Sequence, residues 1–592
     1  PYAEDIPKLI TLPPDLLDGD APDIVRFLKV RGIGSFDLSP NGEEVVFNTS
    51  VTGEPQLWKV SSKGGWPRQM TFGTGITSAR WTKNGSHILY AGDTDGNERE
   101  GYTLISQNGQ REQIVLKSSN AFRSFGDFSP NGDRVVYAST ERNGRDFDVM
   151  VTDIATGETK TAYKGHFGFY PGAWRPGHEH IIMSETRGED GNNLYLLDLQ
   201  NGATQTLFKP EISSAYEAIN WVSDGTGFYL ATNQEREYSG LAYYDIESAT
   251  LEFIETPEMD VDDVDLSHDD RYLAWIVNDG GYSKLLVKNL ETGEMIDVPA
   301  LPQGVYSARF AGEASVLGIR VSGPQTPGDV FVWDLRTGHL SHAAQSTSAG
   351  INLSAMQVPE SVYFNAQDGV RLHGLFYQPT DVGEKPPVMI FVHGGPTGQA
   401  RPRFNTVAQY LLGRGIAVLD LNFRGSTGFG KTFARLDNKR LRTDSVRDVA
   451  DAVAWLKQSG KVDGDRVGIM GGSYGGYLTN AAMGDYPDLF KVGVSFVGVS
   501  DWVRALETAS PALKASDREE YGDIEDPDDR AFFASISPIN NAHKIKAPIM
   551  VLHGANDPRD PVAESDHLVK AVREAGGTAI YLRFPDEGHG IR

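Results

Sequence analysis

The chain has 592 residues, no cysteine and a formal net charge of −25, from 55 basic against 80 acidic side chains. That length exceeds one hydrophobic core and calls for at least two domains. The missing thiols exclude disulfides, thiolate catalysis and thiolate metal sites, and the acidic balance argues against nucleic acid or an anionic membrane as partner.

The opening PYAEDIPKLITLPPDLL has neither a basic nor an apolar signal region, and no window approaches the roughly 18 apolar residues of a membrane span. A soluble protein of cytoplasm or periplasm is expected; since the chain starts at Pro1, a removed leader stays open. Residues 1–30 read as an N-terminal extension.

A phrase then recurs: an aromatic residue or Leu, a polar turn rich in Pro, Asn, Asp and Gly, and an apolar strand. It reads LSPNGEEVVF from Leu38, WTKNGSHILY from Trp81, FSPNGDRVVY from Phe128, WRPGHEHIIM from Trp174, WVSDGTGFYL from Trp221 and LSHDDRYLAW from Leu266, with a degenerate FAGEASVLGI from Phe310. The starts lie 43 to 47 residues apart. Second strands and turns such as DIATGE and DLRTGH follow, which are hairpin signals. Several short strands at this period are the signature of a propeller blade, so an all-β seven-bladed propeller is predicted over 31–350. The acidic run EMDVDDVDLSHDD lacks the Gly and terminal Glu of an EF-hand loop; no metal or other cofactor is expected.

From 351 to 592 the pattern changes to α/β. Near-continuous apolar strands, PVMIFVHGG from Pro387, GIAVLDLNFRG from Gly415, RVGIMGG from Arg466, KVGVSFVG from Lys491, APIMVLHG from Ala547 and TAIYLRF from Thr578, suit a mostly parallel sheet covered on both faces. SVRDVADAVAWLKQSG puts Val446, Val449, Ala450 and Val453 on one helical face, with Gly460 as a stop. In VGIMGGSYGGYLTNAA, Ser473 follows a strand and precedes a helix. With 65 glycines in the chain, chance supplies G-x-S-x-G about 0.5 times, so the strand-turn-helix setting, not the motif, marks Ser473 as a candidate nucleophile.

A serine hydroxyl needs a base, and the base an orienting acid. In hydrolase order, Asp557 in VLHGANDPRDP and His589 in FPDEGHGIR both follow strand ends on the same edge as Ser473. Asp560, in the same loop, is an alternative acid; His553 and His567 read as structural, and Asp586 and Glu587 as exposed neighbours. One oxyanion donor is expected at the N–H of Tyr474, and the other in FVHGGPTG, where Gly394 and Gly395 leave the strand.

Taken together, the repeats, HGGP at 393–396, NFRGSTGFG at 422–430, GGSYGGY at 471–477, HGANDPR at 553–559 and EGHG at 587–590 resemble the prolyl oligopeptidase family of serine peptidases, and within it the acylaminoacyl peptidase branch. The resemblance implies an α/β-hydrolase catalytic domain beside the propeller, a triad of Ser473, Asp557 and His589, and an oxyanion hole from the N–H groups of Tyr474 and Gly395. It further implies Arg559 on a substrate carbonyl and Val499 and Trp502 along an apolar S1 pocket.

The expected activity is hydrolysis of short peptides, releasing N-acylated amino acids. The alternatives are a dipeptidyl or general oligopeptidase and a carboxylesterase; a homo-oligomer stays open. Two departures stand out. The family usually continues past the histidine into a C-terminal helix, whereas this chain ends at Arg592. The paired glutamates with which dipeptidyl peptidases grip a free N-terminus are not recognisable, Glu43 and Glu44 falling in a blade turn and Glu519 and Glu520 in the catalytic half. Neutral His589 being required, the rate is expected to fall below about pH 6.5.

Overall fold

In a computed structural model the chain is described at residues 3–6, 22–380 and 385–591. It divides into two compact units: one holds residues 31–94 and 98–347, the other the described residues of 1–30, 95–97 and 348–592. Most of the extension predicted over 1–30 lies outside the described residues. Of the rest, Asp5 pairs with Arg573 at 2.8 Å and Phe27 packs edge-on against Tyr410, so both contacts belong to the α/β unit.

The first unit is a seven-bladed β-propeller. Each blade is a four-stranded antiparallel sheet in sequence order, the seven spanning 36–69, 78–116, 123–163, 169–208, 216–255, 261–296 and 305–344. The repeated phrase forms the end of each innermost strand, the turn and the start of the second strand. The turn needs a left-handed residue: Gly42 has φ 72°, and in blade 6 Asp270 takes that conformation with φ 55°, as Asp tolerates it. That is why LSHDD keeps the fold without the glycine.

Neighbouring blades are clasped through the residue just before each phrase. Asp37 accepts from Trp81 N–H at 2.8 Å, Asp127 from Trp174 N–H at 3.2 Å and Asp265 from Phe310 N–H at 2.5 Å, while Asn220 donates to the Val264 carbonyl at 2.8 Å. No blade mixes strands from the two ends of the unit. Instead the ring closes where Ile33 N–H meets the Gly328 carbonyl at 3.0 Å, Arg31 bridges Thr347, and Leu38, Val45 and Phe47 pack with Val316, Val330 and Val332.

The second unit is built on an eight-stranded sheet: β1 (Glu360–Asn365), β2 (Arg371–Tyr377), β3 (Val388–Val392), β4 (Ala417–Asn422), β5 (Val467–Gly472), β6 (Val492–Phe496), β7 (Ile549–Gly554) and β8 (Ala579–Phe584). Their spatial order is β1-β2-β4-β3-β5-β6-β7-β8, with β3 to β8 parallel and the first two strands antiparallel to their neighbours. This is the α/β-hydrolase arrangement. Six helices matter for the site: α1 (Thr406–Gly413), α2 (Arg442–Ser459), α3 (Tyr474–Asp485), α4 (Trp502–Thr508), α5 (Pro511–Glu520) and α6 (Ala563–Glu574). Helix α2 begins a turn earlier than its apolar stripe suggests, buries Val446, Val449 and Val453, and stops at Gly460 with φ 70°. Among the described residues no helix is long and apolar enough to cross a membrane.

Candidate active site

Ser473 stands between β5 and α3 with φ 56° and ψ −122°, a conformation that costs a non-glycine residue on the order of 1–3 kcal/mol. The turn is forced from below: a Cβ on Gly475 would run into the Val392 carbonyl of β3, so only glycine lets the helix start this close to the sheet. Ser473 N–H is tied to the Phe496 carbonyl of β6 at 3.0 Å, which leaves its side chain standing off the carboxyl edge of the sheet.

His589, past the end of β8, donates from Nδ1 to Asp557 Oδ2 at 2.8 Å. A carboxylate only accepts, so Nδ1 carries the hydrogen and Nε2 is the basic nitrogen. Asp557, beyond β7, is fixed in turn by the N–H groups of Arg559 and Asp560 on its other oxygen, at 2.9 and 3.0 Å. Burial alone would raise its pKa, but the bonds from His553 and His589 and the imidazole charges hold it well below the ordinary carboxylate range. For His589, burial works downward, yet its bond to Asp557 and the charges of Asp557 and Asp560 leave its pKa above the usual histidine value, Arg559 pulling weakly the other way.

Of the two acids in this loop, Asp557 lies 2.8 Å from His589 Nδ1 and Asp560 3.9 Å. Asp560 occupies a different place. It is buried, its pKa is pushed up to about 6 by that burial, and its Oδ2 lies 3.5 Å from Ser473 Oγ, the partner that the hydroxyl has here. Ser473 is thus not hydrogen-bonded to His589, and proton transfer between them requires the serine side chain to rotate away from Asp560. Such bonds are often long in unliganded sites and tighten with substrate.

His553 does more than end a strand. Its Nε2 meets the Asp560 carbonyl at 2.9 Å and lies 3.4 Å from Asp557, while Nδ1 meets Ser565 Oγ at 2.7 Å, so it braces the acid loop from within. His567 lies on α6 beside Arg504. Asp586 is exposed.

Tyr474 N–H is the first amide of α3, in the turn that has no intrahelical acceptor, and Ser473 makes no capping bond to it. The glycine loop after β3 abuts Ser473: a Cβ on Gly394 would lie 3.2 Å from Ser473 Cβ. Two side chains hold this loop. His393 Nδ1 bonds the Gly394 carbonyl at 2.8 Å; a carbonyl only accepts, so Nδ1 is protonated. That carbonyl shares a peptide plane with Gly395 N–H, and the imidazole therefore sets the donor's direction. Burial pulls the His393 pKa down to about 4 against the bond to Gly394, keeping the ring neutral. Tyr521 OH donates to the Gly395 carbonyl at 3.2 Å.

Behind both candidate donors lies a buried ion cluster that sequence reasoning missed. Arg442 pairs with Asp437 at 2.6 Å and with Glu520 at 2.7 Å, bonds Tyr474 OH at 3.1 Å and stacks on Tyr521. Tyr474 OH also donates to Asp437 at 3.0 Å. Glu520, for which the sequence offers no role, is an internal counter-ion.

Of the expected substrate contacts, Arg559 is exposed beside the Asp557 turn. Val499 and Trp502 are almost fully buried, Trp502 packing against Tyr477 and Tyr521 at 4.9 and 5.0 Å between ring centroids and the Val499 carbonyl accepting from Asn480, so both abut α3 from the core side.

Comparison with known proteins agrees with this architecture. The sequence profile of the prolyl oligopeptidase N-terminal β-propeller domain matches residues 73–346, and that of the prolyl oligopeptidase family matches residues 402–592. The chain is 40% identical over 208 residues to dipeptidyl aminopeptidase BIII of Pseudoxanthomonas mexicana, covering 35% of this chain and 30% of that protein. It is 28% identical over 238 residues to acylamino-acid-releasing enzyme 2 of Oryza sativa subsp. japonica, covering 38% and 30%. The chain thus matches less than a third of the length of either relative. A solved puromycin-hydrolyzing peptidase of Mycobacterium tuberculosis superposes with a TM-score of 0.83 at 20% identity, over 96% of this chain and 92% of that one, a likeness of fold.

Proposed function

Because the chain belongs to the prolyl oligopeptidase family, we propose that it is a serine peptidase acting on short peptides, and that it releases N-acylated amino acids from blocked ones. The observation that carries the reading is the His589–Asp557 bond at 2.8 Å, at the sheet edge where Ser473 stands on its strained turn. Ser473 Oγ attacks the scissile carbonyl, His589 Nε2 takes the proton and returns it to the leaving amine, and Asp557 keeps the imidazole in the required tautomer. The N–H groups of Tyr474 and Gly395 receive the oxyanion, where one such donor is worth about 3 kcal/mol. Arg559 offers its fork to a substrate carbonyl, and Val499 and Trp502 back an apolar S1 pocket.

A second reading, release of dipeptides from a free N-terminus, is favoured by the 40% identity over 208 residues to a dipeptidyl aminopeptidase. The test is hydrolysis of acetyl-leucine, acetyl-phenylalanine and acetyl-alanine p-nitroanilides beside unblocked dipeptide anilides and p-nitrophenyl esters, with Ser473→Ala as control. Turnover of the acetylated anilides supports the first reading. Turnover of unblocked dipeptides alone replaces it with the second, and turnover of esters alone refutes a peptidase.

A further inference from the structure

Asp557 and His589 stand on two loops, the first following β7 and the second following β8. One residue, Asn556, ties these loops together by hydrogen bonds that neither functional side chain makes. Its backbone N–H donates to the Glu587 carbonyl at 2.9 Å, and its side-chain nitrogen donates to the Pro585 carbonyl at 3.2 Å. The same nitrogen donates to the Asp95 carbonyl at 3.3 Å, on the short segment Asp95–Asn97 that belongs to the α/β unit. Both acceptors are carbonyl oxygens, so the amide orientation is fixed and each of its two hydrogens has its own acceptor.

The backbones beside these bonds touch with no side chain between them. Gly588, the residue before His589, is buried, and a Cβ on it would run into the Gly96 carbonyl. A Cβ on Gly554, the last residue of β7, would run into the Gly588 carbonyl. Gly588 is thus packed between Gly554 and Gly96, and Gly96 holds φ 72°, a left-handed conformation that glycine adopts without cost.

We propose that Asn556 is a positioning residue: with the Asp95–Gly96 segment closed against it, Asn556 sets the register of the His589 loop on the Asp557 loop, and so the place at which the imidazole meets Ser473. This role rests on the peptidase reading above. The bond from Nδ1 to Asp557 anchors the ring at one nitrogen and leaves it free to tilt about that bond. The contacts at Pro585, Glu587 and Gly588 remove this freedom by fixing the chain that leads into His589. An error of about 1 Å in such a geometry costs on the order of a hundredfold in rate.

The test compares the full chain with its Asn556→Ala, Asn556→Asp and Gly96→Ala variants, circular dichroism confirming the fold of each. Alanine removes both side-chain donors, aspartate keeps the shape but turns an acceptor toward two carbonyls, and the added methyl at Gly96 pushes Gly588 from the other side. The expected result is a fall in kcat of about tenfold to a hundredfold in each, with KM changed by less than about twofold and aspartate no better than alanine. The downfield proton resonance of the His589–Asp557 bond, identified by its loss in His589→Gln, is expected to broaden in Asn556→Ala through faster exchange with water. The proposal is overturned if Asn556→Asp keeps the parent's kcat, if the loss falls on KM alone, or if the resonance in Asn556→Ala matches the parent's. Turnover by the parent tests the peptidase reading by itself; a parent without turnover fails that reading, and the resonance still decides the register.

Discussion

Replacing Asp560 by Asn tests whether the second carboxyl of the site acts on His589. Its Oδ2 lies 3.9 Å from His589 Nδ1, and its charge is one of the causes that raise the His589 pKa. At that separation a unit charge is worth about 1 kcal/mol even at the dielectric constant of water, and more in a partly buried site. About 1.4 kcal/mol corresponds to one pKa unit, so losing the charge lowers the His589 pKa by at least about 0.8 unit. Asn keeps an acceptor oxygen for the Ser473 hydroxyl, so the shape of the site is conserved. The assay is kcat/KM against pH from 5 to 9. The parent's acid limb is expected above pH 6.5, since the folded site raises rather than lowers the imidazole pKa, and the variant's limb moves toward acid. Asp557, Asp560 and Arg559 are the charged groups acting on His589, and the limb reports the coupled set. A limb that stays in place, or moves toward alkali, refutes the electrostatic account.

Three further expectations concern the support of the site. Tyr521→Phe removes the donor to the Gly395 carbonyl; kcat is expected to drop about three- to tenfold, the loss of a bond worth about 1 kcal/mol, with KM little changed, and a change in KM alone contradicts a positioning role. Arg442→Met leaves Asp437 and Glu520 buried without their cation, and urea unfolding of the α/β unit is expected to show a loss of about 3–5 kcal/mol; a neutral result means the two carboxyls take up protons at no cost. His373 and His393 both have pKa values pulled down to about 4 by burial. The unfolded chain therefore binds more protons in mild acid, and stability is expected to fall between about pH 6.5 and pH 4, by about 3 kcal/mol for each histidine. His393→Phe, which stays uncharged, should flatten part of that slope in denaturant midpoints measured across the range.

How much was legible in the sequence depended on whether the signal was local. The propeller was visible because each blade repeats its own turn and strand, and the seventh, FAGEASVLGI, kept its spacing after losing most of its wording. The parallel sheet was visible because strands buried on both faces are nearly pure Val, Ile and Leu. The sharp turn at Ser473 was readable because it forces glycines within two residues of it. Asp557 and Asp560 could not be separated, since three residues apart in one loop both are acids, and only the turn decides which one meets His589. The Arg442 cluster gave no signal: its partners Asp437 and Glu520 lie 5 and 78 residues away, and an arginine at a helix start reads as exposed. His393 stood inside a quoted motif, but its hold on the Gly394 carbonyl follows from backbone geometry alone. The residue before each phrase was in plain view in the aligned repeats, yet nothing in the sequence says that this position clasps neighbouring blades.

The central claim, that Ser473 is the nucleophile activated by His589, is tested most directly by reacting the intact protein with a fluorophosphonate and locating the adduct by peptide mass spectrometry. One adduct per chain, on Ser473, absent from Ser473→Ala and slowed by orders of magnitude in His589→Gln, is the predicted result. An adduct on another residue, or labelling of Ser473→Ala at the parent's rate, contradicts it.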